Sequence, residues 1–374
     1  MFTVKTLNKI AGVGLARLDP KYFVRDDEAA DPQAILVRSA KMLEYAPNPA
    51  LLCVARAGAG YNNIPVDDYA AKGVVVFNTP GANANAVKEL AVCALILASR
   101  DVVGGIRWCR SIADKGDEVA ALVEKGKSNF VGPELMGKTL GLIGLGNVGG
   151  KVAKAAADLG MRVLGYDPYL SDALRRQLAG VAEIVEDLDV LYADSDYISL
   201  HLPYTKDTAD TICDATIAKM KDGVRIINIA RGELVCDDEM AAALASGKVA
   251  RYVTDFPNGK TVKMEGCVAI PHLGASTPES EDNCAVMAAD QVSRYLLQGD
   301  IVNSVNLPNI SLERAGKYRA VVIAKADAEL KLSAAASAEK TRGAFKVLLA
   351  DADEPFDEAA LAAIPGVLRV RVIQ

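Results

Sequence analysis

The run Gly144-Leu-Gly-Asn-Val-Gly149 follows the apolar stretch Thr139-Leu-Gly-Leu-Ile143 directly and leads into an Ala-rich segment. A buried strand, a glycine turn and a helix, in that order, constrain this chain more than any other feature, because they form the opening turn of a βαβ unit. Each glycine has its own mechanical reason. Gly144 makes the tight turn, Gly146 lets a pyrophosphate approach the backbone, and Gly149 lets the helix pack closely on the strand. The amides at the start of the helix then face the phosphates. Alone, GxGxxG is a weak signal, since such glycines also serve simply to shape a turn. Here the next strand ends Gly165-Tyr-Asp-Pro168. Asp167 therefore stands about 20 residues on, where a carboxylate accepts both ribose hydroxyls and repels a 2′-phosphate. Leu170 and Ser171 follow without an adjacent arginine, so NAD is the expected cofactor.

The same alternation of short β-branched runs and Ala-rich stretches extends along most of the chain, the pattern of parallel sheets covered on both faces. Strands are expected at 34–38, 51–55 and 74–77, then at 139–143, 162–166, 190–191, 197–200, 225–229, 251–254 and 267–270. Long helices are expected over 87–99 and 279–297, the second capped by Ser276-Thr-Pro278. Residues 303–308 read as a linker. The tail, 317–374, reads as a separate small α+β unit with strands at 318–324, 344–350 and 367–373 and a helix at 357–363.

Composition narrows the function classes. At 374 residues the chain exceeds one compact core and predicts two or three domains. A net charge of -6 argues against a nucleic-acid surface. Seven dispersed cysteines without a CxxC pair read as reduced thiols, and no metal site is expected. The first residues lack the apolar core of a leader, and no apolar run approaches the roughly 20 residues of a membrane span. A cytoplasmic location is the expectation.

In open parallel sheets ligands bind beyond the carboxyl ends of the strands, so polar residues there are the candidates for chemistry. The chain has two histidines. His272 follows the strand Cys267-Val-Ala-Ile270 and is the candidate general acid/base, while His201, ending Ser199-Leu200, reads as lining the cofactor crevice. Arg231 follows Val224-Arg-Ile-Ile-Asn228-Ile-Ala230; its guanidinium can grip a carboxylate through two parallel hydrogen bonds, although alone it reads equally as a surface ion-pair partner. A nucleotide loop, a carboxylate clamp and a histidine specify one reaction well. The histidine takes a hydroxyl proton while hydride leaves the same carbon, and the reverse reduces a 2-keto acid.

At this point the chain resembles the D-2-hydroxyacid dehydrogenase family, and within it the phosphoglycerate dehydrogenases. The matching stretches are Arg56-Ala-Gly-Ala-Gly60, Asn78-Thr-Pro80, Gly137-Lys-Thr-Leu140 with the glycine loop, His201-Leu-Pro203, Ala230-Arg-Gly232 and Pro271-His-Leu-Gly-Ala-Ser-Thr277. They cover roughly residues 35–308 in family order. The resemblance implies an α/β fold of two Rossmann-like, doubly wound domains: a substrate domain of 1–95 and 276–308, an NAD domain of 96–275, and a small tail unit of 309–374. It implies a homodimer, or a tetramer built on it, formed mainly through the NAD domain, and a place in serine biosynthesis.

Carried over by position, Arg231 would hold the substrate carboxylate and His272 act as acid/base. Asn147 and Val148 would meet the pyrophosphate and Asp167 the adenine ribose. His201, Pro203, Thr208 and Ala230 would line the cofactor, with Asp255 near the nicotinamide. Arg56 and Ala57, with the Gly58–Gly60 turn and Asn78, resemble the part of the cleft that receives substrate. Arg38, Ser39 and Lys41 follow another strand of that domain, and Arg56, Arg38 and Lys41 together suit a phosphorylated 2-hydroxy acid. Lys41 reads equally as ordinary surface charge.

Two features depart from the family. The glutamate that usually orients the histidine would fall at position 259, which is Gly259. Glu265 is the nearest glutamate, expected to substitute only through a shifted loop; without a substitute the histidine would titrate near about 6.5 and the enzyme would be weaker. The ending Ile364-Pro-Gly-Val-Leu-Arg-Val-Arg-Val-Ile373 resembles the last turn and strand of an ACT domain, but the segment before it is too short for βαββαβ. An abbreviated ACT-like unit that aids association is expected. The competing readings are a reductase of hydroxypyruvate, glyoxylate or another 2-keto acid, and an NAD-sensing scaffold of the corepressor type.

Overall fold

A computed structural model describes residues 1–374. The chain divides into two units, Met1–Asn83 with Pro278–Gln374, and Ala84–Thr277. The helix Ala84–Ser99 thus lies wholly in the second unit, and the boundary falls before it rather than at 95/96.

The first unit holds a five-stranded parallel sheet made of β1 (Phe2–Thr6), β2 (Phe23–Arg25), β3 (Ala34–Val37), β4 (Cys53–Arg56) and β5 (Val75–Phe77), in the order β2-β1-β3-β4-β5. β3 to β5 are apolar runs buried on both faces, Arg56 at the end of β4 excepted, which is why they are legible from sequence. β1 and β2 are not expected from the pattern, because each is only partly buried and carries polar residues.

The second unit holds a seven-stranded parallel sheet: β6 (Thr139–Ile143), β7 (Arg162–Tyr166), β8 (Glu183–Ile184), β9 (Tyr197–Leu200), β10 (Val224–Asn228), β11 (Val249–Thr254) and β12 (Cys267–Ala269). Their order is β12-β11-β10-β9-β6-β7-β8. The chain therefore builds outward from β6 in one direction and restarts at β9 in the other, leaving a topological switch point at the carboxyl ends of β6 and β9. The strand expected at 190–191 is instead within the helix Leu188–Asp194. Asp187 caps it by accepting from the Asp189 amide, and Leu191 and Tyr192 bury one helical face.

The tail forms a four-stranded antiparallel sheet, β14-β15-β13-β16, from β13 (Tyr318–Lys325), β14 (Ala336–Arg342), β15 (Phe345–Ala352) and β16 (Val367–Ile373). One helix, Glu358–Ala362, precedes the last strand. β14 is a strand that the pattern does not reveal, because it is a largely exposed edge with the polar run Glu339-Lys-Thr-Arg342.

Nor is the tail separate. Val321, Ile323, Val347 and Leu349 share one buried cluster with Val4, Leu36, Phe77 and Tyr295. Burial of each such side chain stabilises by roughly 1.5–3 kcal/mol. The segment read as a linker is likewise built in. Asn306 donates to the Val66 and Val74 carbonyls and accepts the Val76 amide.

The long helix Pro278–Gln298 explains the attachment. It has no basic residue in its last turn, so its terminal carbonyls need donors from elsewhere. Arg371 on β16 donates to the Tyr295 and Leu296 carbonyls, and Arg319 on β13 donates to that of Gln298. Arg319 is itself 1 % exposed and forks onto Asp351, Nε to Oδ1 at 2.7 Å and Nη2 to Oδ2 at 2.8 Å. Burial would raise the Asp351 carboxyl, but the Arg319 fork and the Ala315 amide more than offset it and hold it below the usual carboxylate range. Removing one partner of such a pair leaves a buried charge and costs about 3–5 kcal/mol. Arg319→Met is expected to lose that much in urea unfolding, with most of it recovered in Arg319→Met/Asp351→Leu.

Candidate active site

The glycine loop occupies the switch point. Gly144 has φ +94°, and a Cβ there would sit 2.6 Å from the His201 carbonyl oxygen. A Cβ on Gly149 would overlap the Gly144 carbonyl. Gly146 has open space where a side chain would project, the gap through which a pyrophosphate could reach the backbone. Asn147 is exposed and Val148 is the N-cap of the helix Gly149–Asp158. A cavity of about 460 Å³ beside the loop is lined by Gly146, Asn147, Lys151 and Lys154.

Asp167 directly follows β7. Its Oδ2 accepts the Leu145 amide and its Oδ1 the Tyr169 amide, both at 2.9 Å. One loop amide thus fixes the carboxylate against the glycine turn while each oxygen keeps a second acceptor site.

Across the switch point His201 donates its amide to the Ile143 carbonyl, and its Nε2 lies 3.0 Å from the Ser199 hydroxyl. Burial pushes its imidazole down to about 4. It is therefore neutral near pH 7 and serves as packing and hydrogen-bonding surface. Pro203 and Thr208 belong to a self-braced loop in which the Thr208 hydroxyl donates to the Pro203 carbonyl and accepts the Thr205 amide.

Arg231 and His272 lie beyond the carboxyl ends of β10 and β12. Buried Asn228 shapes the first turn: its Oδ1 accepts the Ala230 and Arg231 amides, and its Nδ2 donates to the Arg231 carbonyl at 2.7 Å. The Arg231 Nη1 donates to the Ala230 carbonyl, and the guanidinium stands 5.7 Å from the centre of the Phe256 ring.

His272 has φ +54°, a left-handed backbone that costs a non-glycine residue on the order of 1–3 kcal/mol. Asp255 holds that turn, accepting the Leu273 and Gly274 amides, one on each oxygen at 2.7 Å. Asp255 is 1 % exposed; burial raises its carboxyl above the ordinary value, and the two amides and the nearby His272 offset only part of that. The carboxylate expected beside the cofactor is thus engaged in fixing the histidine turn. The His272 ring rests on Phe256, centroid to centroid 4.7 Å at 49°.

Glu265 is not part of this constellation. It is exposed at the amino end of β12, beside Asp237, Asp238 and Lys260, whereas His272 lies beyond the carboxyl end. At about 3.3 Å per extended residue the two are on the order of 20 Å apart. A parallel strand keeps them at opposite ends, so no local loop shift joins them. Gly259 is exposed and carries no replacement.

In the first unit the expected substrate residues lie at the ends of β3, β4 and β5. The Arg56 guanidinium packs across Gly58, where any side chain would displace it. Ala57 donates its amide to the Val37 carbonyl, and Asn78 donates to that of Ala59. Arg38 pairs with Glu281 at 2.7 Å, so its charge is already matched, in contrast to the expectation that it supplies free positive charge. Ser39 accepts from Asn8, and Lys41 is exposed.

The profile of the D-isomer specific 2-hydroxyacid dehydrogenase NAD binding domain matches residues 103–274. Hydroxypyruvate reductase of Thermotoga maritima is 38% identical over 267 residues, 69% of this chain and 81% of that protein. The chain belongs to the D-2-hydroxyacid dehydrogenase family. D-3-phosphoglycerate dehydrogenase of Archaeoglobus fulgidus is 36% identical over 293 residues, 74% of this chain. This member of the family spans about half the length, 52%, of that relative. Among solved structures, the cofactor (NAD+) bound 3-phosphoglycerate dehydrogenase of Entamoeba histolytica superposes with a TM-score of 0.62 at 26% identity, covering 82% of this chain and 98% of that one. No helix is long and apolar enough to cross a membrane.

Asn228 and Phe256 are the site residues that sequence reasoning missed. An asparagine closing a buried strand was the available signal for the first; nothing local marked the second. The His201 environment yields a pH test. A folded value of about 4, below the unfolded value of about 6.5, means its contribution is complete above pH 6.5 and is lost as pH falls toward 4. His201→Gln is expected to flatten the decline in melting temperature over that window.

Proposed function

We propose that the chain oxidises a D-2-hydroxy acid with NAD, and that D-3-phosphoglycerate is its substrate, giving 3-phosphohydroxypyruvate at the entry to serine biosynthesis. The observation that carries the reading is the convergence of Arg231 and His272 on one aromatic ring at the carboxyl ends of β10 and β12. The open cradle at Gly146 and the fixed Asp167 carboxylate fit NAD. When bound, NAD supplies the hydride acceptor. The Arg231 guanidinium would hold the substrate carboxylate by two parallel hydrogen bonds, orienting the adjacent carbon. The His272 imidazole would take the hydroxyl proton as hydride leaves that carbon, and return it in the reverse direction. Asp255 would keep the His272 turn in its left-handed form through the cycle.

The phosphorylated substrate is supported by the relatives named D-3-phosphoglycerate dehydrogenase and by Arg56 and Lys41 in the first unit. The second reading, reduction of hydroxypyruvate, is favoured by the Thermotoga maritima relative, of which the chain covers 81%. Rates with 3-phosphoglycerate and NAD, against hydroxypyruvate and NADH, separate the two. His272→Ala is expected to lower kcat/KM by about 10²–10⁴ with NAD affinity unchanged. An unaltered rate would remove His272 from the chemistry.

We also infer a homodimer through residues 101–131. The helices Val102–Ser111 and Val119–Gly126 bury no residue, and Val102, Ile106 and Val131 are exposed. Apolar helices without a covered face indicate a partner, here a second copy. Ile106→Glu is expected to shift the chain to monomer in sedimentation. The tail, with strands on either side of a single helix and none between β13 and β14, is consistent with an abbreviated ACT-like unit.

A further inference from the structure

We propose that Phe256 is a positioning residue that sets both the reach of His272 and the place of Arg231, taking over the orienting role for which this chain has no glutamate. The inference rests on the roles given to Arg231 and His272 above.

Two contacts converge on the ring. The His272 imidazole lies 4.7 Å away, tilted at 49°. The Arg231 guanidinium lies 5.7 Å from the same centroid. At the base of the side chain, a Cβ on Gly232 would stand 3.4 Å from the Phe256 Cβ, an ordinary van der Waals distance. The ring therefore has a neighbour in the turn after β10 and another in the turn after β12. Its own backbone is fixed, since its amide donates to the Thr254 hydroxyl at 3.1 Å.

Asp255 and Phe256 divide the work on His272. Asp255 binds the amides of the two residues that follow the histidine, which fixes the turn but leaves the imidazole free about its two side-chain torsions. Packing against Phe256 is what selects the rotamer. A carboxylate would orient the ring through a hydrogen bond; an aromatic face orients it by contact, and attracts the cationic form and the guanidinium alike.

The chemistry makes this spacing matter. In a 2-hydroxy acid the carboxylate carbon is bonded to the carbon bearing the hydroxyl. The clamp and the base must therefore act on groups carried by adjacent carbons of one small molecule, and a misplacement near 1 Å costs up to about 100-fold. A single rigid ring touching both sets that separation directly.

The test compares Phe256→Leu with Phe256→Tyr in the full chain. The leucine variant is expected to lose about 10- to 100-fold in kcat/KM for the hydroxy acid, through both kcat and KM, with NAD affinity unchanged. The tyrosine variant should stay within about threefold of the parent. A second readout needs no turnover. With two histidines in the chain, the imidazole C–H resonances of His272 are assignable by loss in His272→Ala. The ring-current displacement from Phe256 should vanish in the leucine variant and persist in the tyrosine variant. Unchanged His272 resonances in Phe256→Leu overturn the proposal, as does an equal loss of activity in both variants that follows a lower melting temperature. If the parent turns over no 2-hydroxy acid, the enzymatic reading fails, and the resonances still decide whether Phe256 holds His272.

Discussion

The reversal of strand order at β6 is the constraint on which the functional geometry depends. Because the helices after β6 and β9 pack in different clusters, on opposite faces of the sheet, the carboxyl ends of these two strands frame a crevice within the second unit. That opening is held by backbone contacts: the His201 amide on the Ile143 carbonyl, and Gly144 pressed against the His201 carbonyl. Only glycine tolerates both the positive φ and the approach at position 144. Asp167, His201 and the glycine loop acquire their places from this one feature.

The second half of the site is built differently. Arg231 and His272 come from turns that follow separate strands, and buried polar side chains shape each turn by taking up its amides: Asn228 in one, Asp255 in the other. Buried hydrogen bonds of this kind are costly to break, which lets a left-handed histidine persist. Asn228 has no titrating group, and the Asp255 carboxylate is buried and already engaged. Asp255 in particular commits both oxygens to the loop it supports.

In the first unit the tail is an integral part of the fold. Two arginines from an antiparallel sheet supply the donors that the long helix lacks at its carboxyl end, and a shared apolar cluster lies beneath them. Along the sequence there is only a helix ending in Tyr295-Leu-Leu-Gln298 and, well after it, a strand with alternating arginines. The complementarity between them exists only once both are folded.

Legibility in the sequence followed from local order. Continuous apolar strands, the glycine loop, Asp167, Arg231 and His272 stand out in the one-dimensional pattern because each depends on the same succession: strand, turn, polar residue at the strand's end. Partly buried strands such as β1, the exposed edge β14 and the helix over 188–194 do not, since their apolar content is short or one-sided and packing chooses between helix and strand. Lone charges were misjudged for a related reason, since their partners are set by the fold. Arg38 meets Glu281, which is remote in sequence, and Glu265 is close to His272 in sequence yet at the other end of a strand. Sequence by itself determined the parallel α/β architecture, the dinucleotide loop and the placing of Arg231 and His272 at strand ends. Only the tertiary structure decided what holds that pair, because Phe256, Asp255 and Asn228 act through contacts between turns that no spacing along the chain encodes.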